Sequence, residues 1–380
     1  MRQNIFLIFA VFAICCYFFV NKIEENISII PSKEELIQDF SFRKSSSSHK
    51  NKKENKEETE NEHEILYEKR LPDFIIIGMQ KCGTTVLKYF LEAHPKLIAP
   101  KLGEIHFFEK DWNFEQVRKK NFFKVKSSIQ GKEWYLDKMP NASSELLIFE
   151  KTPDYMAVPI VAKRIFEMKP DMKLIVLTCD PVKRAFSNYL HLKSVKRPPY
   201  ELAPGVQEVI NSTFEEAILS SLTTSLGAPN VDVLFGKSQI NEKKKNELKT
   251  IFNSYLDKFW EEERRFPMPA SLLIRGHFTY FMKKWLQIFP SENFLTIDGN
   301  LLTAAPWKAC SQVEEFLKIE NFLNESHFTK ENENSKFYCI KKLRKMKYCS
   351  IPGGKKGRTL SQNMTKEAEN ALVIFYDAIS

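Results

Sequence analysis

A fold of the α/β class, with a mainly parallel sheet flanked by helices, is predicted by two patterns along this chain of 380 residues. Short apolar runs typical of buried strands alternate with longer segments in which apolar residues recur at helical spacing. One run ends in a glycine- and threonine-containing turn that leads directly into such a segment, as in the strand–turn–helix units of parallel sheets. The predicted strands are Phe74–Ile77, Leu146–Phe149, Leu174–Thr178 and Phe294–Ile297. The predicted helices are Thr85–Ala93, Pro159–Met168, Val182–Lys193, Thr279–Phe289 and Lys366–Ala378.

The first 70 residues predict a membrane anchor and a flexible stem. Residues 4–20 form an almost uninterrupted apolar run, at the lower length limit of roughly 17 residues for a helix that crosses a bilayer. The positive-inside rule places residues 1–3 in the cytoplasm, although a cleaved signal peptide is the alternative interpretation. Residues 21–70 are charge-dense and contain few apolar side chains, so they should not fold by themselves. Residues 71–380 would then form a lumenal domain.

The turn after the first predicted strand is a candidate site for phosphate or sulfate. Its sequence is Lys81-Cys82-Gly83-Thr84-Thr85, and it stands where a helix begins. Backbone N–H groups and the positive end of the helix dipole attract anions at such a position. The hydroxyl that binds magnesium in a P-loop is missing, which disfavours a nucleoside-triphosphate-dependent kinase. An ordinary strand-to-helix turn is the other interpretation.

Sequons and cysteines are compatible with a lumenal domain. Cys339 and Cys349 bracket a short basic loop, and in an oxidising compartment we expect a disulfide between them. A zinc site would need a second pair of ligands. The glycosylation sequons begin at Asn141, Asn211, Asn324 and Asn363.

One span, residues 200–269, fits the alternation of strands and helices poorly, and its charged part, residues 241–265, is predicted to be an inserted polar helix. The formal net charge of +9 and the pI of about 9.0 favour an acidic partner. Nucleic acid and acidic polysaccharide both satisfy this condition. The apolar N-terminal run, the sequons and the lack of a recognisable nucleic-acid motif favour the polysaccharide.

Several motifs, taken together and in order, resemble the heparan sulfate sulfotransferase family from about Pro72 to Arg358. The layout of anchor, stem and single domain is similar to that of the glucosaminyl 3-O-sulfotransferases. The Lys81 turn and the turn around Pro181 also resemble the N-sulfotransferase domain of the bifunctional deacetylase/sulfotransferases. Besides the Lys81 turn, the motifs are Gly103-Glu104-Ile105-His106-Phe107-Phe108, Glu150-Lys151-Thr152-Pro153-Asp154-Tyr155, Asp180-Pro181-Val182-Lys183-Arg184-Ala185-Phe186-Ser187, and Cys339…Cys349 followed by Gly354-Lys355-Lys356-Gly357-Arg358.

The resemblance implies a sulfotransferase fold related to that of P-loop nucleotide kinases, which binds 3′-phosphoadenosine 5′-phosphosulfate (PAPS) without a metal. The implied reaction is sulfuryl transfer from PAPS to a glucosamine of heparan sulfate, with 3-O-sulfation expected. N-sulfation, sulfation of another glycan and a catalytically weak heparan-binding protein are the alternatives. A single-pass type II protein of the Golgi membrane is the expected location.

The resemblance also assigns roles to individual residues. Glu104 is expected to be the general base, with His106 on the same face of an extended segment. Lys81 would neutralise the bridging oxygen of the donor, and Lys151 would lie close to the reacting groups. The remaining expected cofactor contacts are Cys82, Gly83, Thr84, Thr85, Ser187, Lys355, Lys356, Gly357 and Arg358.

Position 179 departs from the family pattern. The family usually has arginine before Asp180-Pro181, and this arginine grips the 3′-phosphate together with the serine at position 187. Cys179 cannot replace a bidentate cation. Reduced nucleotide affinity is therefore expected unless another basic side chain, such as the nearby Arg184, takes over, and an inactive protein is the alternative.

Overall fold

The computed structural model describes residues 67–111, 128–195, 202, 205–236, 240–330, 332–335, 337–341, 347–349 and 363–380. They belong to one compact unit, Glu64–Ser380. The predicted anchor, residues 4–20, and most of the predicted stem lie outside these ranges. Within the described ranges, no helix is both long and apolar enough to cross a membrane.

The described strands form one parallel and two antiparallel sheets. The strands are β1 (Tyr67–Lys69), β2 (Phe74–Gly78), β3 (Leu97–Ile98), β4 (Asn141–Ser143), β5 (Leu147–Lys151), β6 (Lys173–Thr178), β7 (Phe294–Asp298), β8 (Phe328–Lys330), β9 (Tyr338–Lys341) and β10 (Lys347–Cys349). The central sheet is parallel, with the order β3-β5-β2-β6-β7. The two small sheets have the orders β1-β4 and β10-β9-β8.

The central sheet confirms the predicted α/β class and the four predicted strands. Every residue of β2 is buried, because other elements cover both faces of the sheet, and this burial explains the uninterrupted apolar run. The edge strand β3 was not predicted, since two residues are too few to produce a recognisable pattern.

The helices that flank the sheet include all five predicted ones, with shifts of up to three residues at their ends. Their bounds are α1 (Thr84–Leu91), α2 (Ser128–Lys138), α3 (Val161–Met168), α4 (Pro181–Lys193), α5 (Val206–Asn211), α6 (Phe214–Leu226), α7 (Ala228–Phe235), α8 (Glu242–Glu261), α9 (Ser271–Ile274), α10 (Phe278–Leu286), α11 (Leu301–Ala304), α12 (Pro306–Leu317) and α13 (Lys366–Ile379).

The span that fitted the strand–helix alternation poorly is mostly helical where it is described, with a loop after Glu261. The polar helix predicted over residues 241–265 is α8, and Asn241 caps its start by accepting a hydrogen bond from the Lys244 N–H. On its inner face Phe252 is fully buried and meets Phe375 of α13 edge to face, with 5.0 Å between ring centroids. This segment is therefore part of the core.

The carboxyl ends of β2, β5, β6 and β7 lie along one edge of the central sheet, as parallel pairing requires. In open parallel sheets, ligands bind at this edge. The loop after β2, Lys151 at the end of β5, Cys179 after β6 and Asp298 at the end of β7 all belong to this edge. The fold thereby gathers residues that are far apart in the sequence.

Candidate active site

The loop between β2 and α1 has the shape of an anion-binding turn. Lys81 and Gly83 both have positive φ angles, of 77° and 97°. A φ of 97° is strained for any residue with a Cβ atom, and such an atom would also lie 2.5 Å from Leu302 Cδ1, so this position favours glycine. Helix α1 begins at Thr84, and the residue before it supplies no side-chain cap. Since the first N–H groups of a helix have no intrahelical acceptor, this helix start can receive an anion.

The neighbouring helix start, at α4, is different. The carboxylate of Asp180 accepts hydrogen bonds from the N–H groups of Val182, at 2.9 Å, and Lys183, at 3.1 Å. A negative charge of the protein itself already occupies this helix end. Of these two helix starts, α1 is the one open to a phosphate or sulfate group.

A disulfide joins Cys82, in the β2–α1 loop, to Cys179, which follows β6. Their Cα atoms are 5.3 Å apart, although 97 residues separate them in the sequence. The predicted contact of Cys82 with the phosphosulfate stays a prediction; its sulfur is bonded to Cys179, and its N–H donates to the Met79 carbonyl at 3.1 Å. Sequence reasoning missed this pairing. The available signal was that Cys179 directly follows one predicted strand and that Cys82 lies in the turn after another.

Lys151 connects the anion-binding loop to the predicted base. Its ammonium group lies 2.5 Å from Glu104 Oε1 and 3.2 Å from Thr85 Oγ1. Only 3% of the Lys151 side chain is exposed, whereas 34% of the Glu104 side chain is exposed. Three residues predicted to belong to the site are therefore in contact, and the carboxylate among them is open to a substrate.

Glu104 is held in its ionised form. Burial by itself raises the pKa of Glu104, but the hydrogen bond from His106 and the charge of Lys151 outweigh it and lower the pKa to about 2. The His106 Nε2 atom lies 3.2 Å from Glu104 Oε2. The carboxylate is thus available as a proton acceptor at neutral pH.

His106 lies between two carboxylates, and the second one was not predicted. Its Nδ1 atom contacts Oε1 of Glu109, whose side chain is fully buried. An imidazolium ring can donate to both carboxylates, whereas a neutral ring can donate to only one of them. Glu109 follows His106 by three residues in the π-helical turn Phe107–Asp111, and this i, i+3 spacing was the signal in the sequence.

Two arginines neutralise the acidic groups behind His106. Arg265 Nη2 lies 3.0 Å from Glu109 Oε2, and Arg275 Nη1 contacts Asp154 and donates to Gln80 at 2.8 Å. Burial raises the pKa of Asp154, but the charge and hydrogen bond of Arg275 lower it overall.

Potential metal-ligand atoms of His106, Glu109 and Asp154 lie within 4.8 Å of one another. A cation at this position would have to compete with the guanidinium groups of Arg265 and Arg275, which already contact the two carboxylates. This donor set therefore fits ion pairing better than it fits a resident metal ion.

A second buried carboxyl, Glu150, supports the segment that carries Glu104. It accepts hydrogen bonds from the hydroxyls of Tyr135, at 2.6 Å, and Thr152, at 3.0 Å. The same Thr152 oxygen accepts a hydrogen bond from the Ile105 N–H at 3.2 Å. Burial raises the pKa of Glu150 to about 7, even though these hydroxyls favour its ionised form. Through Thr152 and Ile105, Glu150 therefore helps to hold the backbone next to Glu104 in place.

Two cavities open at the same edge of the sheet. The smaller one, of about 290 Å³, lies beside Cys179 at the ends of β6 and β7, and its lining includes Thr178, Pro181, Asp298 and Asn300. The larger one, of about 500 Å³, has a lining that includes Gln80, Asp154, His191, Arg265 and Arg275. Cationic and polar side chains next to the Glu104 cluster thus line the larger cavity.

The structure places the other predicted cofactor contacts in different surroundings or does not describe them. Ser187 is half-buried on α4 and does not line either of these two cavities. Arg184 cannot readily replace the missing arginine, because it is buried and its guanidinium donates to the Leu272 carbonyl. Burial lowers the pKa of Arg184 to about 10. Residues Lys355, Lys356, Gly357 and Arg358 lie outside the described residues.

The predicted pairing of Cys339 with Cys349 agrees with the backbone register but stays a prediction. The two residues face each other in the antiparallel strands β9 and β10. Cys339 is buried and takes part in a disulfide. Cys310, in contrast, is a buried free thiol.

Comparisons with known proteins agree with this geometry. A family model described as a sulfotransferase domain matches residues 71–371. Human bifunctional heparan sulfate N-deacetylase/N-sulfotransferase 2 is 27% identical over 273 residues, which cover 71% of this chain and 24% of that protein. Human heparan sulfate glucosamine 3-O-sulfotransferase 3B1 is 28% identical over 308 residues, which cover 81% of this chain and 61% of that protein. Less than two thirds of the length of either relative is therefore matched.

Among solved structures, a sulfotransferase from Alicyclobacillus acidocaldarius aligns with 81% of this chain and 92% of its own chain, at 19% identity and a TM-score of 0.48. The family model, in contrast, covers most of the chain, including the β2–α1 loop, Glu104 and Lys151. The chain therefore belongs to the sulfotransferase domain family.

Proposed function

We propose that the protein transfers a sulfuryl group from PAPS to a glucosamine residue of heparan sulfate. The observation that carries this proposal is the position of Lys151, buried between Thr85 at the start of α1 and the exposed carboxylate of Glu104. Sulfuryl transfer requires a proton acceptor for the incoming group and positive charge for the leaving phosphate. Lys151 brings these two requirements to one place.

In the proposed reaction, Glu104 accepts the proton of the acceptor hydroxyl or amine. The sulfur–oxygen bond to the donor phosphate breaks, and a bond from sulfur to the acceptor oxygen or nitrogen forms. A carboxylate with a pKa near 2 is a weak base. Movement of the Lys151 ammonium group from Glu104 towards the leaving phosphate would raise this pKa during transfer.

The leaving phosphate would be stabilised by the β2–α1 loop. Lys81, Lys151 and the first N–H groups of α1 supply positive charge and hydrogen-bond donors at this position. The nucleoside part of PAPS would extend towards the cavity beside Cys179, with Ser187 and Lys355–Arg358 as further proposed contacts. PAPS binding without arginine at position 179 then depends more strongly on the loop.

The acceptor would enter the cavity of about 500 Å³ beside Glu104. Its lining contains Arg265, whose side chain is 47% exposed, together with His191 and Arg275. Cationic groups in a cleft attract a polyanion and increase its local concentration. An acidic glycan such as heparan sulfate fits this lining better than a neutral one.

We propose the 3-hydroxyl of glucosamine as the acceptor atom, in keeping with the 28% identity to the 3-O-sulfotransferase over 81% of this chain. N-sulfation is the second candidate, since the N-sulfotransferase relative is 27% identical and its family shares the Gln80–Thr85 turn. A heparan-binding protein with weak activity is the third, because Cys179 replaces the expected arginine.

We also propose that the protein is a type II Golgi membrane protein with its catalytic domain in the lumen. The apolar run at residues 4–20 supports an anchor. The disulfide-bonded Cys82, Cys179 and Cys339 suit an oxidising compartment. Microscopy of the full-length protein with a Golgi marker, together with glycosidase digestion at the sequons, tests this location.

Transfer of radiolabelled sulfate from PAPS to desulfated heparan sulfate tests the activity, and disaccharide analysis of the product identifies the acceptor atom. We expect 3-O-sulfated glucosamine in the product. N-sulfated product would favour the second candidate. Heparan sulfate binding without incorporation of label would leave only the third candidate, a heparan-binding protein with weak activity.

A further inference from the structure

The Cys82–Cys179 disulfide lies where the donor nucleotide is proposed to bind. Cys82 belongs to the loop between β2 and α1, and Cys179 directly follows β6, which pairs with β2 in the central sheet. The bond therefore ties the anion-binding loop to the end of the neighbouring strand. Cys179 also lines the cavity of about 290 Å³.

The loop packs closely around this bond. A Cβ atom at Gly299, in the turn after β7, would lie 2.5 Å from the Cys82 carbonyl oxygen and 3.0 Å from that of Thr178. The Gly299 N–H also donates to the Thr178 carbonyl at 2.8 Å. The turns after β2, β6 and β7 thus meet at the disulfide. Because they pack so closely, one turn cannot move without displacing the others.

Without the disulfide, the loop would keep an unfavourable backbone conformation with fewer restraints. The φ angle of Lys81 is 77°. Residues other than glycine adopt this left-handed region at an energetic cost. A covalent bond to β6 removes alternative loop conformations, and a pre-organised loop binds its ligand with less loss of entropy.

We propose that the Cys82–Cys179 disulfide is a positioning element of the donor site, so that nucleotide affinity depends on its oxidation state. The proposal rests on the proposed use of PAPS. In the oxidised protein the loop is fixed for the phosphosulfate. Reduction leaves the loop free to move away from it.

The reduction step is an ordinary thiol–disulfide exchange. A dithiol reductant attacks one sulfur, the Cys82–Cys179 bond breaks, two thiols form, and the reductant becomes a cyclic disulfide. Cys82 is only 4% exposed, whereas Cys179 is half-buried and lines the cavity. The Cys179 sulfur is therefore the more accessible one.

Coupling between the bond and the nucleotide must be reciprocal. If the intact disulfide increases affinity for the desulfated nucleotide, 3′-phosphoadenosine 5′-phosphate (PAP), then bound PAP stabilises the disulfide by the same factor. A nucleotide in the adjacent cavity would also shield Cys179. We expect PAP to slow the reduction of this bond and to leave that of the Cys339 disulfide unchanged.

Calorimetry of PAP binding to the full-length protein is the test, with three samples: oxidised, reduced and alkylated, and the Cys82→Ser/Cys179→Ser variant. We expect PAP to bind the last two about tenfold more weakly than the oxidised protein, within the usual range of coupling between sites. The donor KM should rise, and the acceptor KM should stay the same. Exposure to the dithiol should not change the affinity of the double variant.

The Cys339→Ser/Cys349→Ser variant is the matched control, and its PAP affinity should still fall on reduction. Equal PAP affinity of the oxidised and reduced wild-type protein would overturn the inference. The inference would also be overturned if reduction no longer changed the PAP affinity of the Cys339→Ser/Cys349→Ser variant, because the Cys339 disulfide would then be the sensitive one. Absence of PAP binding to the oxidised protein would instead overturn the proposed function. If the Cys82→Ser/Cys179→Ser variant does not fold, the reduced and alkylated wild-type protein supplies the comparison.

Discussion

At the scale of residues, the site depends on how Lys151, His106 and Glu104 share charge. Lys151 and His106 keep the Glu104 carboxylate ionised, while the buried Glu109 holds the other nitrogen of the His106 ring. A carboxylate in such surroundings has a fixed position and charge. Both are needed before an acceptor group can lose its proton to it.

Replacement of Glu104 by glutamine should reduce sulfate transfer by about two orders of magnitude or more, because the acceptor proton loses its recipient. PAP affinity and the fold should change little, since the amide keeps the shape of the side chain, while loss of the ion pair with the buried Lys151 should lower thermal stability. Glu167→Gln, at an exposed position of α3, is the matched control. Near-normal turnover of the Glu104→Gln variant would show that another group is the base.

Glu150 should make the stability of the protein depend on pH in a defined direction. The pKa of Glu150 rises from 4.5 to about 7 on folding. Its contribution to the free energy of unfolding is therefore fully present below pH 4.5 and is lost as the pH rises through 7. The full loss is on the order of 3 kcal/mol. Urea unfolding from pH 5 to 8 should show a weaker pH dependence for Glu150→Gln than for the wild type. Parallel curves for the two proteins would contradict the shift.

Some of these residues could be found in the sequence, and others could not. Glu104, His106 and Lys151 stand in short motifs, whose order along the chain identified them. The sequence places both Cys82 and Cys179 after predicted strands, but their pairing could not be derived from it, because it depends on β2 lying next to β6. Strand order in a sheet is set by contacts between distant segments and has no local pattern.

At the scale of elements, the start of α5 and the loop that follows α8 form a wall of the proposed acceptor cavity. Val206, Arg265, Phe266 and Met268 all line it. The sequence suggested an insertion here because strands are absent from the pattern. The buried positions of α8, Leu248, Phe252 and Leu256, do recur at helical spacing, so the helix was predictable while its role in the site was not.

Arg265→Gln should raise the acceptor KM by about tenfold, the effect of one lost charge-assisted contact. The donor KM should remain unchanged, because Arg265 lines the cavity proposed for the acceptor. Arg264→Gln is a close control, since Arg264 is 53% exposed and pairs with Glu262 outside this lining. Equal effects of the two substitutions would reduce the role of Arg265 to general surface charge.

At the scale of the whole molecule, disulfides restrain the chain over long and short separations, and the Cys82–Cys179 bond spans 97 residues. If Cys339 pairs with Cys349 as predicted, the bond closes the basic loop between β9 and β10. Such a loop closure is worth on the order of 2–3 kcal/mol. Replacement of both cysteines by serine should therefore lower the melting temperature and weaken heparan sulfate binding. Peptide mapping under non-reducing conditions checks the pairing itself, and free thiols at both positions would contradict it.

The contact between α8 and α13 limits how far the protein can be shortened. The motifs that resemble the sulfotransferases end near Arg358, and a version that stops there would retain all of them. It would nevertheless lack Phe375, and Phe252 would then be exposed to water. Exposed aromatic surface of this kind promotes aggregation. Recombinant versions trimmed to the motifs should therefore be recovered as insoluble material, while those that retain residues 366–379 should remain in solution.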